Sequence, residues 1–106
     1  MEREITVTIR GDFSDGDSRY YSSTVYVDIT CGEFIRNSCV NLGIDPDTHD
    51  GVTRNVEVYT FQGEEGELWI YDPSSSLAIS PLMEVPRLQI VEMSPPSTEC
   101  SKSYAK

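Results

Sequence analysis

Residues 30–47 read Thr30-Cys-Gly-Glu-Phe-Ile-Arg-Asn-Ser-Cys-Val-Asn-Leu-Gly-Ile-Asp-Pro-Asp47, and this stretch decides the fold. Thr30 followed three residues later by Glu33 is a capping box, in which the threonine hydroxyl accepts from the Glu33 amide and the carboxylate reaches back. The spacing predicts a helix over 31–42, with Cys31, Ile35, Cys39 and Leu42 on one stripe and Phe34 beside it. Gly43 is the natural stop, and Ile44 can fold back on the last turn as in a Schellman cap. A single amphipathic helix must bury its stripe on another layer.

The flanking segments supply that layer. Upstream, Arg3–Arg10 alternates strictly, with Ile5, Val7 and Ile9 on one side. Residues 11–19 form a turn rich in Gly and Asp, and a strand over about 20–29 directs Val25, Val27 and Ile29 inward, so the two strands make a hairpin. Downstream, 45–54 reads as a loop. Residues 55–61 and 67–71 read as a second hairpin, 77–86 as a short irregular or single-turn helical segment, and 87–93 as the last strand. The order predicts an α+β domain over 1–93, a mixed sheet of four to five strands packed on one helix. Residues 94–106 are polar and proline-bearing, and read as a disordered linker or tail.

The chain of 106 residues suffices for one domain. Eighteen acidic residues oppose eight basic ones, a formal charge of -10, which argues against nucleic acid and anionic membranes and toward a basic partner. Both lysines lie in the last five residues, and the six arginines are scattered. Three cysteines without metal spacing suit a reducing compartment. With no membrane-spanning stretch and no signal peptide in the sequence, the expectation is a soluble cytoplasmic domain.

The hairpin-then-helix start, the Gly43-Ile44-Asp45-Pro46-Asp47 turn and the short segment before the last strand resemble the ubiquitin-like β-grasp superfamily. The resemblance covers about residues 3–93. It implies that the first and last strands pair in parallel at the sheet centre. The sequence departs from a conjugated modifier: no Gly-Gly follows the last strand, and the domain carries no lysine. The resemblance therefore implies an interaction domain. A tyrosine in the third strand and a tryptophan in the fourth are also similar to the N-terminal ubiquitin-like domain of the kinetoplastid flagellar pocket collar scaffold, whose aromatic patch binds cytoskeletal proteins. That likeness gives Tyr59 and Trp69 those positions and implies cytoskeletal association.

Binding residues are expected on the outer sheet face. With Val56, Val58, Leu68 and Ile70 inward, Tyr59, Phe61, Trp69 and Tyr71 point outward, joined by Val91 and Met93 on the last strand and Tyr26 on the second. Such aromatics exceed the apolar patch of an ordinary monomer, and Trp and Tyr dominate binding hot spots. Residues 72–86 folding across this face would cover it, and a register shifted by one residue would instead bury the aromatics.

Other chemistry has little support. Asp12, Asp15 and Asp17, and Asp45, Asp47 and Asp50, invite a calcium reading, but Asp50 stands where an EF-hand loop needs glycine and no glutamate closes the loop. They read as turn residues, and no metal or cofactor is expected. His49 is the only histidine and has no nucleophile near it in sequence, so no catalytic residue is assigned. Cys31 lies at the helix start, where its pKa can fall.

Two functions compete. One is a non-catalytic protein-interaction module at the N-terminus of a larger scaffold or cytoskeletal protein, holding a basic or amphipathic partner segment on Tyr59 and Trp69, flanked by Phe61 and Tyr71. The other is a Ras-association-type adaptor for a small GTPase. That reading has only Arg10 and Arg19 to offer, among Asp12, Asp15, Asp17 and Asp28. Oligomeric state is open, as is pairing at the second strand's edge.

Overall fold

The computed structural model describes residues 3–49, 52–62 and 65–93. The 94–106 segment, Asp50 and the centre of the second hairpin lie outside the described residues. Among the described residues, seven strands, one α-helix and two 3-10 turns follow in the order β1 (Glu4–Asp12), β2 (Ser18–Tyr26), α1 (Cys31–Leu42), β3 (Thr48–His49), β4 (Val52–Thr53), β5 (Val56–Gln62), β6 (Glu65–Leu68), the turns Leu77–Ile79 and Pro81–Met83, and β7 (Arg87–Glu92).

The main sheet has the order β2-β1-β7-β5-β6, and β1 and β7 run parallel at its centre. Every other neighbouring pair is antiparallel. With the helix following the first hairpin, this is the ubiquitin-like β-grasp. The 45–54 segment departs from the expected plain loop: β3 and β4 pair there as a small antiparallel ribbon.

Helix α1 ends as its sequence dictates. The Thr30 hydroxyl accepts from the Glu33 amide at 3.2 Å. At the other end Gly43 adopts φ 89°, the left-handed region glycine enters without a Cβ clash. Its amide reaches Val40 O, and the Ile44 amide reaches Cys39 O at 2.9 Å, the paired bonds of a Schellman motif. Ile44 is thereby drawn into the core.

Alternation along the strands sends Val7, Ile9, Val56, Val58, Leu88 and Ile90 to the helix side, where they meet Cys31, Phe34, Ile35, Cys39 and Leu42. Leu77 and Leu82, from the two 3-10 turns, are fully buried in the same core. Gly11 also faces inward. A Cβ there would lie 2.8 Å from both methyls of Leu42, so the absent side chain is what lets the last helical turn reach the sheet.

Candidate functional site on the outer sheet face

The register of β5 against β6 builds the site. Tyr59 pairs with Leu68 and Phe61 with Gly66, while the Trp69 amide donates to Val58 O at 2.8 Å. Directly paired residues share a face, so Leu68 lies outside with Tyr59, and Trp69 lies inside with Val58. This corrects the sequence expectation. Trp69 is only 5% exposed and belongs to the core, whereas Leu68 is 55% exposed and Ile70 is 87% exposed. Tyr71 is half-buried and packs against Trp69, ring centroids 5.1 Å apart. The reason is local: four consecutive apolar residues, Leu68 to Tyr71, give no period-2 contrast, so pairing and not hydrophobicity selects the face.

Of the expected outward residues, Tyr59, Phe61 and Val91 do share the outer face. Gln89 pairs with Tyr59, and Val91 pairs with Glu57, one step further along the same face. All three are partly buried. Tyr26 is exposed on the same face but not beside them. It pairs with Glu4, whereas Tyr59 is level with Gln89 and Arg10, three strands across and on the order of 20 Å along the strand direction. Tyr20, not singled out from the sequence, is on the Tyr59 level. A single row crosses the sheet as Tyr20, Arg10, Gln89, Tyr59 and Leu68.

Polar contacts fix this surface. Asp12 accepts from Arg10 Nε at 2.9 Å, from Ser18 Oγ at 2.7 Å and from Gln89 Nε2. Partial burial alone would raise its pKa, but the donors from Ser18, Gln89 and Arg10 outweigh that and hold it below the ordinary 3.8. Arg10 also lies over the Tyr20 ring. The Tyr59 hydroxyl donates to Glu57 Oε1 at 2.8 Å, and this bond raises the phenol pKa. Beside the patch, where β6 ends, a depression of about 280 Å³ is lined by Val56, Glu57, Leu68, Ile70, Tyr71 and Pro73, with Trp69 in its wall.

The remaining sequence candidates have structural duties. Asp15 Oδ1 accepts from the Asp17 amide, and Asp45 Oδ1 from the Asp47 amide, contacts that shape turns. Among the described residues no cluster of three or more His, Cys, Asp or Glu could hold a metal ion. Cys31 does not acquire a lowered pKa from the helix start: burial raises it, and burial pushes Cys39 up to about 12. Arg19 donates to Leu42 O and lies over the Phe13 ring, so both arginines that a GTPase-binding reading needs are engaged within the chain. No helix among the described residues is long and apolar enough to cross a membrane.

No family model and no curated protein matches the chain. Among solved structures, a de novo designed protein based on ubiquitin is similar over 85% of this chain and 92% of its own, at 17% identity and a TM-score of 0.46.

Proposed function

We propose that this domain is a non-catalytic protein-interaction module that holds a basic or amphipathic partner segment on the outer face of β5, β6 and β7. The observation that carries the reading is the Tyr59–Leu68 pair, with Phe61 and Val91 on the same face and exposed Ile70 two residues beyond Leu68. Apolar side chains grouped on a solvent-facing surface mark interaction sites, and aromatic anchors dominate such interfaces. The formal charge of -10 draws basic segments toward the surface. Trp69 supports the patch from beneath instead of touching the partner. Membership of a larger scaffold or cytoskeletal assembly is the extension suggested by Tyr59 on β5 and Trp69 just past the end of β6.

The test is a screen of basic amphipathic peptides against the whole chain, followed by amide chemical-shift mapping of the best binder. Shifts concentrated at Tyr59, Phe61, Leu68 and Val91 are expected, with binding weakened about tenfold or more by Leu68→Asp at unchanged thermal stability. Binding that Leu68→Asp leaves intact, or shifts confined to another surface, overturns the assignment.

A further inference from the structure

The two edges of the main sheet are built differently. At one edge, β6 has four residues, two of them glutamates and one a glycine. Short, charged edges resist pairing with other chains. At the other edge, β2 has nine residues, Ser18-Arg-Tyr-Tyr-Ser-Ser-Thr-Val-Tyr26, without proline, glycine or lysine. It is also the one strand of the five-stranded sheet that carries no Asp or Glu, in a chain with eighteen of them.

The free backbone of this edge can be assigned. The Val27 amide donates to Arg3 O, and the Phe13 amide donates to Asp17 O. Hydrogen-bonded pairs alternate along an antiparallel ladder, so the odd-numbered residues of β2 bond to β1. The amides and carbonyls of Tyr20, Ser22 and Thr24 therefore face away from the sheet.

We infer that β2 is a homodimer edge, pairing antiparallel with β2 of a second copy about a two-fold axis at Ser22. That register overlaps all nine residues and joins the two sheets into one of ten strands. Ser22 meets its own equivalent, and Tyr20 meets Thr24 of the second copy in both directions, an aromatic–β-branched pairing that sheets favour. Arg19 meets Val25, so no like charges stand opposite each other within the strand. A basic peptide finds no carboxylate on β2 to pair with, whereas a second acidic chain meets the least repulsion there. A two-fold interface of this kind uses the same strand from both copies. It lies at the opposite edge of the sheet from the proposed partner patch, so a dimer presents two patches at once and gains avidity.

Sedimentation velocity of the whole chain across a concentration series tests this. The average mass should climb from one chain toward two, and added salt should tighten the association by screening the two acidic chains. Ser22→Pro deletes an edge-facing amide without touching the β1 ladder, and Ser22→Lys places two cations together at the axis. Each should weaken association about tenfold or more at unchanged circular dichroism and melting temperature. Hydrogen exchange at Tyr20, Ser22 and Thr24 should slow as concentration rises. A wild-type chain that stays monomeric at the highest concentration, leaving the edge to an extended segment of another protein, overturns the inference. So does association that both variants retain, or that salt weakens.

Discussion

Trp69 shows how much one residue's position can change a functional reading. Its indole is in the core, packed against Tyr71, while its neighbours Leu68 and Ile70 face solvent. Native emission should therefore be blue-shifted and poorly quenched by acrylamide, changing on addition of denaturant. Trp69→Ala should destabilise the domain by about 3–5 kcal/mol, the usual cost of emptying a large buried site, measured by urea unfolding. Red-shifted, readily quenched native emission would contradict the placement. The register that pairs Gln62 with Glu65 puts Leu68 beside Tyr59. Hydrophobicity alone could not choose, because both alternating sets in 68–71 are apolar.

At the scale of elements, the bounds of helix α1 were legible, although only the Thr30 hydroxyl half of the capping box forms. Its start at Thr30, its stripe and its stop at Gly43 are local consequences of residue type, and the described bonds follow them. The join between α1 and β1 was not. Gly11 reads as the start of a turn, yet it continues β1 and leaves the space that Leu42 fills. Gly11→Ala should cost about 1–3 kcal/mol through overpacking against Leu42. Adding Leu42→Ala should recover part of the loss caused by the clash, and a double-mutant cycle in urea measures the coupling. Independent, additive effects would show that the two sites do not meet.

Across the whole molecule, Asp12 ties three strands together: Arg10 on its own β1, Ser18 on β2 and Gln89 on β7. Because its folded pKa lies below the unfolded value, its contribution is full above 3.8 and disappears as pH falls from there through the lowered folded value. The stability gap between wild type and Asp12→Asn should be widest near neutral pH and close in that acid window. Unfolding midpoints across the acid range measure it, and a constant gap would show that Asp12 is not the linked group. Asp12 looked like a turn residue in sequence, since its partners lie up to 77 positions away.

The sequence by itself determined the helix and its caps, the order of the main elements along the chain, the acidic charge and, outside residues 68–71, most of the apolar residues that form the core. These depend on spacing and residue type within a few positions. It also carried the β-grasp pattern, because a capped helix between two hairpins has few ways to bury its stripe. Only the tertiary structure decided which face Trp69 takes, that Tyr26 stands apart from Tyr59, and that Tyr20, Gln89 and Leu68 share a row with it. Those outcomes follow from strand register, and register joins residues far apart in the chain. A shift of one residue there exchanges the buried and exposed faces.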